Sequence, residues 1–338
     1  MARVICICNP VSNSRFVDHR GGITIRCSPN NSSNSEQIRR KFSVSSAAFK
    51  DNLTSFWFLL PIVVIFIVLT LIPLTQSIFY SFTDFNGYDL NFHFIGLQKY
   101  QQVFSDTSLL SALIFTLMYS FIVTIVVTCL AIPLAVVLNQ AMIGKSFLRS
   151  LFFFLGVPAQ AVIGLIWQYI FSPLDSGVAN QVLHTFGLPS IQWLSQDNWA
   201  RFCVMFVAVW MQVGWHATLY IAWLQAIPAD LYEQARVDGA NGLQRFVHIT
   251  LPQLIPGMVV STFLLMTTAL KIYDLPYTLT AGGPGHSTNT ITQAIIMRGM
   301  GQSDVGLASA LSTLFTIACV IVIAIQMKVS STVARRFQ

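Results

Sequence analysis

Residues 227–257 read IPADLYEQARVDGANGLQRFVHITLPQLIPG. They contain a polar interval between two runs, Phe202 to Ile227 and Leu254 to Leu270, that hold no Asp, Glu, Lys or Arg. The interval carries Asp230, Glu233, Arg236, Asp238, Arg245 and His248, which is too much charge for hydrocarbon. Residues 228–252 therefore belong at a membrane face, with a spanning helix on either side. Within the interval Pro228 suits a helix start, and Leu231, Ala235 and Val237 supply an apolar side. Gly239 stands where a helix ends in a left-handed residue. Asn241 followed by Gln244 is a fresh start resembling a capping box, with Phe246 and Ile249 at helical spacing before Pro252 is expected to stop the helix. The prediction is two short helices around a glycine turn, a surface hairpin suited to docking another protein.

The rest of the chain is oily. Of 338 residues 54% are hydrophobic and 9% charged, with 26 Phe, against about 25% charged in a soluble domain, and this excludes a soluble enzyme. A spanning helix needs about 20 mostly apolar residues, because only a helix or a closed barrel satisfies its own backbone groups in lipid. Six charge-free runs qualify: Phe56 to Ser81, Leu110 to Leu138, Leu151 to Phe171, Phe202 to Ile227, Leu254 to Leu270 and Val305 to Met327. The fifth is the shortest, and Pro256 near its start is expected in a first helical turn, where a missing N–H breaks no bond. The fold predicted is an all-α membrane protein with six transmembrane helices.

Orientation follows from Lys and Arg in short flanks, which are retained on the cytoplasmic side. With the N-terminus inside, eleven lie on the inner side: Arg39, Arg40, Lys41, Lys50, Lys145, Arg149, Arg236, Arg245, Lys328, Arg335 and Arg336. Three, Lys99, Arg201 and Arg298, lie outside. Both termini are thus expected in the cytoplasm. The net charge of +6 is a topology signal, and without a basic stripe it gives no reason to expect nucleic acid as a partner.

Residues 1–50 differ in composition, with Ser and Asn concentrated in Asn30 to Ser35 and no apolar signal core. They read as a disordered cytoplasmic tail or as a stretch upstream of the true translation start, leaving 51–338 as the transmembrane domain. Cys6, Cys8, Cys27 and His19 lack the spacing of a zinc module. Cys129, Cys203 and Cys319 sit in apolar runs, where a thiol behaves as a small hydrophobe, so neither a metal site nor a disulfide framework is implied. The string Asn139-x4-Gly144-Lys145-Ser146 comes within one residue of a phosphate loop, but it leaves a spanning helix where that motif needs a strand. Without HExxH, GxSxG or paired intramembrane carboxylates, no catalytic residue and no bound cofactor are expected in this chain.

The run Glu233-Gln234-Ala235, then Gly239, then Ile249-x-Leu251-Pro252 resembles the EAA loop of binding-protein-dependent ABC importer permeases, with Gln234 in place of the usual Ala. "FIGLQKYQQVF" before the second run, "RSLFFFLGVPAQAVIGLIWQYIF" through the third and "YTLTAGGPGHST" after the fifth are similar to segments of the sugar-importer subgroup in the same order. The resemblance covers roughly Phe56 to Met327. It implies a type I importer permease bundle that pairs with a second homologous permease and docks two cytoplasmic ATPases, which would carry the ATP and Mg. It also implies an extracytoplasmic solute-binding protein as the source of solute. By that resemblance Glu233, Ala235 and Gly239 belong to a coupling helix entering a groove on the ATPase, and Ile249, Leu251 and Pro252 close the motif. The place of action would be the inner, plasma membrane of a bacterium.

A sugar needs hydrogen bonds to its hydroxyls and an aromatic face for its C–H side, and no charge. Trp210 and Gln212 in the fourth run are candidates for such a path, with helix–helix contact as the plain alternative for Gln212. Lys271 and Asp274, three apart at the end of the fifth run, are placed to pair on one helix face, with Tyr273 between them; snorkelling to the headgroups is the alternative for Lys271. Ala281 to Asn289, with Gly282, Gly283, Pro284 and Gly285, is a turn-rich outer loop by composition, and the resemblance directs it toward the binding protein. A rival, an ion- or proton-coupled carrier, would show ionisable groups in mid-membrane or inverted repeats.

Overall fold

The computed structural model describes residues 57, 59–89, 91–140 and 142–336. The tail 1–50, with Cys6, Cys8, Cys27 and His19 and the basic flank Arg39 to Lys50, lies outside the described residues. Contacts divide the chain into one unit through Leu69 and a second from Thr70. The described part of the first is the opening of helix α1, Leu59–Tyr80, whose apolar window holds no buried residue.

The second unit continues with α2 (Gln98–Ser105), α3 (Thr107–Asn139), α4 (Lys145–Phe154), α5 (Gln160–Ile170), α6 (Val178–Thr185) and α7 (Asp197–Gln225). Then come α8 (Ala229–Val237), α9 (Gly242–Leu270), α10 (Asp274–Thr280), α11 (Ile291–Ile296) and α12 (Val305–Arg336). Among the described residues five helices, α1, α3, α7, α9 and α12, are long and apolar enough to cross a membrane. The core lies where α3, α7 and α9 meet. On α3 Phe115, Tyr119, Val123, Val127, Ala131 and Ala135 recur every fourth residue and are all buried, one stripe of a helix turned inward. Hydroxyls on the same helix donate back to carbonyls one turn earlier, Thr116 to Ala112, Ser120 to Thr116 and Thr128 to Thr124, so they enter the apolar interior already paired.

Two expectations about the spans are corrected. The third run is two helices, α4 and α5, separated by Leu155 to Ala159. Pro158 has no donor and disfavours helical backbone at Val157, and the broken segment is pressed onto α7. A Cβ at Gly214 of α7 would lie 1.9 Å from the Phe152 carbonyl oxygen, so glycine there is what admits the α4 backbone. The fifth run is longer than expected. Neither Pro252 nor Pro256 ends or starts it; α9 passes through both. A π-turn at Phe246–Thr250 ends two residues before Pro252, with the Leu251 amide bonded to the Phe246 carbonyl. The wider turn gives the proline ring the room that it lacks against a carbonyl four residues back.

The near phosphate loop is a helix–turn–helix: Asn139 ends α3, and Gly144, at φ 79°, precedes α4. Arg149 of α4 reaches back, its Nε donating to the Leu138 carbonyl at 3.1 Å, a cation on the last carbonyls of a long helix. At the opposite end of the bundle, long-range polar contacts hold the loops. Lys99 Nζ lies 2.8 Å from Asp304 Oδ1, Arg298 pairs with Asp106, and Arg201 Nε donates to the Ser287 carbonyl at 3.0 Å. Asn180 of α6, fully buried, donates to the Leu174 and Ile191 carbonyls and accepts from the Ile191 amide and the Trp193 indole.

Candidate functional site

Residues 228–252 fold as a hairpin of α8 and the start of α9. At the end of α8 the Ala240 amide bonds to the Ala235 carbonyl at 2.9 Å and the Gly239 amide to the Arg236 carbonyl at 3.1 Å. With Gly239 at φ 78°, this is the paired closure of a helix through a left-handed glycine. Asn241 then starts α9 with a complete capping box: its Oδ1 accepts from the Gln244 amide and its own amide donates to Gln244 Oε1, both at 2.8 Å. Tyr232 Oη and Thr250 Oγ1, 3.0 Å apart, bridge α8 to α9.

A cleft of about 350 Å³ in the hairpin brings together Ala235, Gly239 and Ile249 of the predicted set, with Asp238 and His248. Glu233 is exposed on α8, and Leu251 and Pro252 are half-buried in α9. Leu231 and Ala235 face inward as expected, but Val237 does not: it is 88% exposed, and Leu243 beyond the turn is 72% exposed. The turn thus presents two aliphatic side chains on an otherwise polar knob, the composition of a docking tip.

The predicted solute path comes together only in part. Trp210 packs edge-on against Trp167 of α5, ring centroids 5.4 Å apart, and belongs to an aromatic cluster with Phe171 and Phe206. Gln212 is half-buried, with no hydrogen bond among the described residues. The expectation that Lys271 and Asp274 share a helix face is wrong. The helix ends at Leu270, Lys271 is its cap, and Asp274 opens α10, so both are exposed and form no ion pair among the described residues. Tyr273 at this break stacks on Tyr277 with centroids 5.2 Å apart and planes 16° from parallel. α10 packs against both α5 and α7, so the tyrosine pair and Trp210 have α5 as a common neighbour.

Sequence reasoning missed several residues. His216 Nδ1 meets Ser261 Oγ at 2.8 Å, both buried, joining α7 to α9; a histidine and a serine in two apolar runs were the only signal. The loop Ala281 to Asn289 is more than a connection. Gly285 and His286 form an exposed tip, while Ser287, Thr288, Asn289 and Thr290 are buried. Thr288 Oγ1 donates to the Gly283 carbonyl at 2.7 Å, and the Ile291 amide donates to Thr116 of α3 at 2.9 Å.

A family model described as "Binding-protein-dependent transport system inner membrane component" matches residues 128–335. The chain is 33% identical over 287 residues to the "Probable ABC transporter permease protein YurN" of Bacillus subtilis, covering 84% of this chain and 98% of that one. It is 30% identical over 277 residues to the "Probable starch degradation products transport system permease protein AmyD" of Thermoanaerobacterium thermosulfurigenes, covering 81% and 94%. In fold it is similar to a chain of a bacterial alginate ABC transporter solved in complex with an alginate pentasaccharide-bound periplasmic protein, with TM-score 0.74, 20% identity, and 85% and 97% coverage.

Proposed function

Because the chain belongs to the binding-protein-dependent transport system inner membrane component family, a family of multi-pass permease subunits of ABC transporters, we propose that it carries a neutral sugar or polyol inward. The starch-product relative supports that solute class. So do a mid-span amide, Gln212, and the Tyr273–Tyr277 stack, which are the uncharged donors and ring faces that a carbohydrate uses. The ion-coupled rival draws no support from relatives that are ABC permeases.

The proposed topology has both termini and the α8–α9 hairpin in the cytoplasm, with six crossings if α4 and α5 together make one. The distribution of Lys and Arg supports this orientation, and the two sets differ in their contacts. The outer cations are occupied, Lys99 by Asp304, Arg298 by Asp106 and Arg201 by a carbonyl. Among the described residues the inner cations Lys145, Arg149, Arg236, Arg245, Lys328 and Arg335 form no ion pair with a carboxylate. What holds a flank on the cytoplasmic side is its number of Lys and Arg, eleven inner against three outer.

The assembly proposed contains a second, homologous permease, two ATPases that hold the ATP and Mg, and an extracytoplasmic solute-binding protein. The single observation that carries the coupling role is the hairpin's form, a helix closed by Gly239 and reopened by a capping box, with Glu233 exposed along α8 and Val237 exposed at the turn. Closure of the ATPases would move α8, and the spans would rock between outward and inward openings. The energy must pass through this contact, since a solute cannot by itself reverse its own gradient. The test is uptake of labelled maltooligosaccharide into vesicles holding the chain and its co-expressed partners. Uptake is expected to need internal ATP and to disappear in Gly239→Val, with the ATPase lost on co-purification. Uptake by the chain alone, without ATP, would overturn the proposal.

A further inference from the structure

A second cavity lies on the inward side of the hairpin, about 450 Å³ in volume, between α8, the start of α9 and the last turns of α3 and α7. Its polar wall carries Arg236, Arg245, Tyr232 and Asn139, and no carboxylate lines it. Its other wall is apolar, formed by Val136, Leu224 and Phe246. Arg245 lines both this cavity and the neighbouring cleft, and its Nε is buried with no hydrogen-bond partner among the described residues. Two guanidinium groups, those of Arg236 and Arg245, line the cavity with no carboxylate in its walls, so it suits an occupant that supplies an anionic oxygen. Asp238, in the neighbouring cleft, forms no ion pair with Arg245 or Arg236 within 4.0 Å.

We propose that this cavity binds the headgroup of an anionic phospholipid of the cytoplasmic leaflet, its phosphate on Arg245 and Arg236 and its glycerol region along Val136, Leu224 and Phe246. Val136 and Leu224 lie in the final turns of spanning helices, the depth at which headgroups meet acyl chains. A basic pocket beside an apolar wall at that depth matches an amphiphile better than a free ion. Bound there, the lipid would brace the base of the coupling hairpin against the ends of α3 and α7. The inference rests on the cytoplasmic placement of the hairpin proposed above. That placement is checked separately, by labelling Val237→Cys with a membrane-impermeant thiol reagent in inside-out and right-side-out vesicles, against the wild-type background.

The test is native mass spectrometry of the full chain in mild detergent with added phosphatidylglycerol or phosphatidylcholine. Phosphatidylglycerol adducts are expected to be retained and to weaken roughly fivefold in Arg245→Gln and in Arg236→Gln, the worth of one basic side chain facing anionic lipid. Lys145→Gln, on the same membrane face but outside the cavity, should leave them unchanged, and Arg245→Lys should keep most of the binding and report correct folding. Three results would overturn the proposal: equal weakening by Lys145→Gln, meaning diffuse charge; displacement of the lipid by inorganic phosphate at matched concentration, meaning a free-anion site; or unchanged lipid adducts with loss of a co-purified ATPase in Arg245→Gln, meaning a protein carboxylate as occupant.

Discussion

The hairpin about Gly239 and the loop about Gly282 to Gly285 are both glycine turns between helices, yet they are held in opposite ways. The turn of the hairpin closes through bonds that span at most five residues, its two helices are tied by the Tyr232–Thr250 hydroxyl pair only 18 residues apart, and α8 contains no buried residue. The second loop is buried from Ser287 to Thr290 and anchored from afar, by Thr116 at a sequence separation of 175 and by Arg201 at 86. A locally closed, exposed element can move as a body and be gripped by a partner, whereas one tied to distant helices rides with the bundle. The contrast fits a lever at one face and a fixed rim at the other.

The largest effect that would break this contrast lies in the buried loop. Thr116→Val removes the acceptor of the buried Ile291 amide and should destabilise the chain by about 1–3 kcal/mol, seen as a lower Tm in detergent with ATPase capture unchanged. Equal loss of capture would mean that the two regions are not independent. Next, Gly239→Val places a β-branched residue at φ 78°, where a Cβ would meet nothing within 4 Å. Its cost, about 1–2 kcal/mol, is therefore backbone strain alone, and it should abolish ATPase capture with a fall in Tm no larger than that of Thr116→Val; Gly239→Asn, which tolerates that backbone, should restore capture. Asn241→Ala removes half of the capping box and should cost about 1 kcal/mol of local stability, read as faster amide exchange at Leu243 and Gln244.

The smallest effect concerns pH at the end of the bundle opposite the hairpin. Burial works to raise the Asp106 carboxyl, but bonds from the Ser108 hydroxyl and amide, with Arg298, outweigh it and hold the group below its ordinary value. A carboxyl lowered on folding contributes stability above the usual carboxylate range and loses it as pH falls through the lowered value. The Tm difference between wild type and Asp106→Asn should be full near neutral pH and shrink as pH falls below the ordinary carboxylate range; a difference that persists unchanged in acid would mean that the ion pair contributes nothing.

The amino-acid sequence by itself determined the five long spans, the hairpin with its glycine closure and capping box, and the family. Each of these is written within a few residues: an apolar run of sufficient length, or a cap whose donor and acceptor are sequence neighbours. Only the tertiary structure decided that the third run breaks, because Pro158 weakens it locally while the approach of α4 to α7 at Gly214 is a contact between separate helices. The continuation of α9 past Pro252 was likewise hidden, since a proline reads as a stop unless the chain widens before it. The partners of Lys99 and Arg298, separated from them by 205 and 192 residues, and the unpaired Arg245 over its cavity follow from which helix ends are brought side by side. Pairing at such distances depends on the packed bundle, and no local pattern of residues encodes it.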